Sequence, residues 1–174
     1  MNIIYLLFHG LSPYSGISKK ILSQVKGFET CGHRVSLCTY SIADNGHRVR
    51  MINNEIIEDY GTGKPAAAKR RVSYQCIYRY AITHQVELIY VRSFHNANPF
   101  TIRLFSKLRK AGIKIAMEIP TYPYDSEYAG FPLVTRLGIQ VDKVFRKTLA
   151  KHVNAIVTFS DYHCIFGQRT IQIS

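Results

Sequence analysis

A chain of 174 residues suits one domain and leaves little room for two. Hydrophobic residues at 47% suffice for a core, and charged residues at 20% exclude disorder over most of the length. The net charge of +12, from 23 Lys and Arg against 11 Asp and Glu, favours polyanionic partners: nucleic acid, anionic lipid head groups or phosphorylated substrates. Cys31, Cys38, Cys76 and Cys164 show no CxxC spacing, which speaks against a zinc site. They are expected to be reduced and mostly buried thiols in a cytoplasmic protein. The opening apolar run lacks the basic segment of a signal peptide, and no run approaches the ~20 residues of a membrane span.

In chain order, residues 2–8 (NIIYLLF) read as a strand buried on both faces, as in a parallel sheet. After a loop with Pro13 and Gly16, residues 17–31 read as a helix through Ile21, Leu22, Val25 and Phe28, with Gly32 at its C-cap. Residues 34–39 form the second strand and complete a βαβ unit. Residues 51–57 read as a short strand, residues 66–84 as one helix, and residues 88–91 as the next strand. A helix opening on Pro99 follows to residue 111, then a strand over 113–119. Residues 120–132 hold three prolines and three tyrosines and read as a loop. An amphipathic helix runs over 133–152 through Leu137, Val141, Val144 and Thr148. A strand at 155–159, a short helix at 161–166 and a strand at 170–173 finish the chain. Strands alternating with helices predict an α/β fold: a Rossmann-like parallel sheet with helices on both faces. The apolar strand running up to Ser174 reads as a cut, with further sequence beyond it.

In such sheets ligands sit at the carboxyl ends of the strands. The first loop there, residues 9–16 (HGLSPYSG), leads into a helix N-terminus suited to a phosphate, with Ser12 and Ser15 as donors and Gly16 permitting close backbone approach. Only one glycine of the GxGxxG dinucleotide fingerprint is present, and the pattern at Gly61–Lys64 lacks both the first glycine and the Ser/Thr of a P-loop. Arg92 and His95 flank the predicted ligand edge in the second loop. Glu118 ends an apolar strand, an awkward place for a purely structural carboxylate. Thr121, Tyr122 and Tyr124 follow it, and the tyrosines offer flat faces of the kind that stack on sugar rings. Ser160 opens the fourth loop and has the chemistry of an N-cap.

The pieces SPYSGISKK, GHRVSLCTY, ELIYVR, KIAMEIPTYPYDSE and NAIVTFSDYHCIFG, in this order, resemble the N-terminal domain of a GT-B fold glycosyltransferase of family 4, the retaining class. IYVR together with EIPTYPYDSE is similar to the members that build bacterial capsular or surface polysaccharides. The resemblance implies that residues 1–174 are the acceptor-side domain. The donor-binding domain, with the family's paired glutamates, then lies outside this sequence, and this half alone is inactive. It implies a nucleotide-sugar donor, a glycan or lipid-linked acceptor, and no cofactor or metal. Ser15 and Gly16 match the family's glycine-rich loop near the donor diphosphate, although many members carry two adjacent glycines there. Glu118 stands near the place where many members have a histidine beside the transferred sugar. Glu118 and His95 are thus the catalytic candidates, and Ser15, Gly16, Arg92, Thr121, Tyr122, Tyr124 and Ser160 the substrate-binding ones.

The basic surface fits peripheral contact with anionic membrane through Lys69, Arg70, Arg71 and Arg79, and through Arg136, Lys143, Arg146, Lys147 and Lys151. The rival reading is a basic nucleic-acid-binding α/β module, motivated by the charge and by Arg70, Arg71, Tyr74 and Tyr78 on one predicted helix. Under the first reading no specific nucleic acid is bound. A receiver-like or flavodoxin-like domain is disfavoured because Phe8, His9 and Gly10, not acidic residues, end the first strand.

Overall fold

The computed structural model describes residues 1–93, 95–123 and 133–173. Strand β1 (Asn2–Leu6) lies inside a mostly parallel sheet, and helix α1 (Gly16–Thr30) carries the chain to β2 (Arg34–Ile42). An antiparallel hairpin of β3 (Arg48–Ile52) and β4 (Glu55–Asp59) then forms one edge of the sheet. Helices α2 (Gly63–Val72) and α3 (Gln75–Thr83) return the chain to β5 (Leu88–Arg92), which pairs with the free side of β1. Helix α4 (Pro99–Lys110), β6 (Lys114–Glu118), α5 (Leu133–Ala150) and β7 (Ala155–Thr158) continue the alternation. The short β8 (Cys164–Ile165) and β9 (Gln168–Gln172) close the other edge, giving the order β4-β3-β2-β1-β5-β6-β7-β9-β8. The architecture is the predicted Rossmann-like α/β sheet with helices on both faces.

Burial explains the apolar strands. Ile3 through Leu7 are all buried, as the central position of β1 requires. Ile4 and Leu6 join Ile77, Ile89, Phe105, Leu108 and Ile115 in the larger core layer, to which α3 and α4 contribute. Ile3, Tyr5 and Leu7 point to the other face, where Ile21 of α1 meets Tyr90 and Val157. The caps follow from side-chain chemistry: Asn98 accepts from the backbone N–H of Phe100 and Thr101, and Pro99 opens α4.

Several expectations need correction. The strand expected at 51–57 is a hairpin whose turn residues Asn53 and Asn54 take φ of 49° and 71°, the left-handed region that asparagine tolerates. The helix expected over 66–84 breaks at Ser73 and Tyr74 into α2 and α3, so Arg71 and Tyr78 lie on different helices. The short helix expected at 161–166 is absent; Phe166 and Gly167, at φ of 51° and 80°, instead turn β8 back into β9. On α5, Leu137, Val141 and Val144 face outward at 58%, 43% and 71% exposure, while Ile139, Asp142, Leu149 and Ala150 face inward.

Candidate functional site at the carboxyl edge of the sheet

Arg92 ends β5 and Glu118 ends β6 in register with it, so the two side chains project side by side. The Arg92 guanidinium donates to a Glu118 Oε at 2.6 Å, and both residues are buried. The other Glu118 oxygen accepts from the Tyr90 hydroxyl at 3.0 Å and from Gln24 of α1 at 3.1 Å, and lies 3.5 Å from the Tyr5 hydroxyl. Tyr5 itself donates to Gln24 at 2.6 Å. Burial, and then the neighbouring Glu118 charge, push the Tyr5 and Tyr90 hydroxyls above their ordinary range. A desolvated carboxylate committed to this many donors is internally satisfied. Glu118 thereby orients Arg92 from beneath the edge and faces no open space.

Above this network lies the head of α1. Ser15 stands at the N-cap in extended backbone, yet its side chain makes no capping bond, and no acidic residue occupies the first turn. The Ser18 hydroxyl instead accepts from the N–H of Ser12 and shapes the loop. A Cβ added to Gly16 would meet nothing within 4 Å, and the Gly16 backbone does not occupy the left-handed region. The small residue leaves open space next to the free N–H groups of a helix end, where an anion is favoured. Lys20, one turn further on, lies 3.4 Å over the Phe159 ring and so links this helix end to the loop after β7.

That loop also holds Ser160, whose hydroxyl accepts from the backbone N–H of Tyr122 at 2.8 Å. Ser160 ties the loops after β6 and β7 together and caps no helix. Tyr122 is half-buried, packed edge-on against Tyr162 and Phe166 with ring centroids 5.0 and 5.6 Å away. Thr121 beside it is exposed, and Tyr124 lies outside the described residues. His95 takes a positive φ of 45° and brings its Nδ1 within 3.8 Å of an Asp142 Oδ on α5. Asp142 is buried and accepts from the N–H of Ala97 at 2.9 Å, which fixes the start of the segment leading to α4.

The structure thus joins Arg92 with Glu118, Tyr122 with Ser160 and His95 with Asp142, and places Ser15 and Gly16 at an open helix head. Sequence reasoning missed Tyr5, Gln24, Tyr90, Lys20 and Asp142. A signal existed for two of them: a tyrosine inside an otherwise apolar buried strand needs a partner for its hydroxyl, and Tyr5 pairs with Tyr90 in the β1–β5 register. Among the described residues no group of His, Cys, Asp and Glu could hold a metal ion, and no helix is long and apolar enough to cross a membrane. No family model, curated protein or solved structure matches the chain.

Proposed function

We propose that the chain is the acceptor-side half of a retaining glycosyltransferase of the two-domain GT-B type, passing a sugar from a nucleotide diphosphate donor to a glycan or lipid-linked acceptor. The observation that carries this reading is the head of α1: an uncapped Ser15 hydroxyl, open space at Gly16 and no acidic residue in the first turn. Such a helix end stabilises the negative charge that builds on a departing diphosphate, and it does so without reorganisation during the reaction. Lys20 adds a cation one turn away. In this reading the chemistry rests on leaving-group stabilisation and requires no metal or cofactor from this domain.

The buried Glu118 acts as a positioning residue for Arg92, in place of the catalytic role that its position in the sequence suggested. His95, backed by Asp142, remains the candidate for direct contact with the sugar. A lipid-linked acceptor also fits the outer face of α5, where Leu137, Val141 and Val144 make an exposed apolar ridge beside the exposed Arg136, Lys147 and Lys151. Apolar side chains flanked by Lys and Arg suit an anionic membrane surface.

The test is Gly16→Val in the complete transferase. The wild-type site has room for the added side chain, so thermal stability is expected to hold. A valine there occupies the space that the diphosphate needs, and kcat/KM for the donor is expected to fall about a hundredfold, the scale of losing one preorganised donor. Near-normal kcat and KM would reduce the loop to a simple turn. Residues 1–174 alone are expected to turn over no nucleotide sugar, and turnover at an ordinary enzymatic rate would overturn the half-enzyme reading.

A further inference from the structure

On the sheet face opposite α1, three arginines gather around one tyrosine, and a fourth stands beside them. Tyr40 of β2 stands across the antiparallel ladder from Arg50 of β3. Arg48 donates to the Tyr40 hydroxyl at 2.7 Å, and the Arg70 guanidinium lies 4.2 Å over the Tyr40 ring. Arg50 is only 1% exposed; it donates to the Leu7 carbonyl at 2.8 Å and lies 5.9 Å from the Phe8 ring centroid. Arg71 follows Arg70 on α2 and is exposed. The place adjoins the loop after β1, since the Tyr40 N–H donates to the His9 carbonyl.

Charges of one sign at close quarters destabilise a fold unless something compensates them. Among the described residues none of the four arginines forms an ion pair. Of the β4 carboxylates, Asp59 pairs with His47 at 2.7 Å, Glu58 stands opposite Arg50 in the ladder but pairs with Arg79 at 3.5 Å, and Glu55 lies opposite Ile52. The Nε atoms of Arg50 and Arg70 are buried without a hydrogen-bond partner, an expensive arrangement for a guanidinium. Burial lowers the Arg70 pKa; Tyr40 works against this, and Arg71, Arg48 and Arg50 lower it further. A planar fork with unused donors is the side chain best matched to a phosphate oxygen pair.

We propose that Arg48, Arg70 and Arg71, backed by the buried Arg50, bind a phosphate or diphosphate group. The site lies on the sheet face opposite α1, and none of its arginines takes part in the transfer reaction proposed above. The phosphate is either free in solution, as part of a small metabolite, or carried by a lipid head group.

The test uses the whole chain with inorganic pyrophosphate at constant ionic strength, and in parallel, in a Lys147→Gln/Lys151→Gln background that weakens the α5 contribution, with vesicles of phosphatidylcholine alone or mixed with phosphatidic acid. Saturable binding of pyrophosphate identifies a soluble source, and binding only to the phosphatidic-acid vesicles identifies a head group. In either arm Arg70→Gln is expected to weaken binding at least tenfold, while Lys110→Gln at the far end of α4 removes the same charge without effect. Ligand-free Arg70→Gln is expected to melt no lower than wild type, because removing one of four crowded cations relieves repulsion; a purely structural Arg70 would lower it. If Arg70→Gln does not fold, Arg71→Gln carries the same comparison, its side chain being exposed and free of hydrogen bonds among the described residues. Absence of binding in both arms, or binding that survives these substitutions, overturns the proposal. Pyrophosphate binding that is lost instead in Gly16→Val would move the anion to the head of α1.

Discussion

Glu118 shows how one buried side chain organises several strands. Its oxygens collect donors from α1 and β5, and Tyr5 of β1 joins through Gln24, so the register of neighbouring strands and the seating of α1 all pass through a single carboxylate. Arg92 and Glu118 are both buried, so removing one leaves the other's charge uncompensated. Arg92→Leu is expected to cost about 3–5 kcal/mol in urea unfolding, and the double change Arg92→Leu with Glu118→Leu distinctly less than the sum. Additive losses would show that the two do not act as a pair. The same burial sets an alkaline limit. Tyr5 and Tyr90 have raised hydroxyl pKa values in the folded chain, chiefly from burial and then from the Glu118 charge, and burial raises the Cys38 thiol from 9.0 to about 12. Above the unfolded values the unfolded chain releases these protons first, so folded stability is intact below about pH 9 and falls as pH rises beyond it. Melting temperatures recorded from pH 8 to 11 are expected to fall across that window. Tyr90→Phe, which removes one such group, is expected to flatten the decline.

At the scale of elements, α5 is the helix whose outer face calls for an explanation. If Leu137, Val141 and Val144 rest on a membrane, wild-type chain is expected to float with vesicles containing phosphatidylserine and not with neutral ones. Lys147→Gln and Lys151→Gln are each expected to weaken this roughly fivefold, at ~1 kcal/mol per cation. Equal flotation with neutral vesicles, or none with either, would leave the charge without a membrane role. This helix also marks a limit of sequence reading. Helical spacing identified Leu137, Val141 and Val144 as sharing a face, but α5 carries a second inward set in Ile139, Leu149 and Ala150, and periodicity does not choose between them. The central strands were legible because apolar runs such as residues 2–6 and 88–91 are needed where both sheet faces are covered. The hairpins were not, because their turns use Asn53–Asn54 and Phe166–Gly167 in place of the usual Asn-Gly signal. Of the candidate site, the loops were legible by position, since strand ends fall where strands do. The tie between Arg92 and Glu118 was not, because it depends on the β5–β6 register, which separate segments do not state.

For the molecule as a whole, the net charge of +12 guarantees some affinity for any polyanion, so affinity alone identifies no partner. Binding to a random duplex is expected to fall about a thousandfold or more between 50 and 200 mM salt, the behaviour of phosphate contacts without base readout. A complex that persists at high salt would favour the nucleic-acid module instead. Tyr74, one of the two tyrosines that motivated that module, is buried against Phe8 and offers no open ring for stacking. The two hairpins at the ends of the sheet carry a consequence of another kind. An open sheet presents its outermost backbone groups as a template on which a second chain can add. At one end β4 carries Glu55, Glu58 and Asp59, so two copies approaching by this edge bring carboxylate against carboxylate. At the other end, among the described residues, β8 pairs with β9 at Gln168 and Arg169, and Ile171 is 54% exposed. The β4 edge is thus guarded against pairing with a second copy, and Glu55→Thr with Glu58→Thr is expected to raise light scattering on heating.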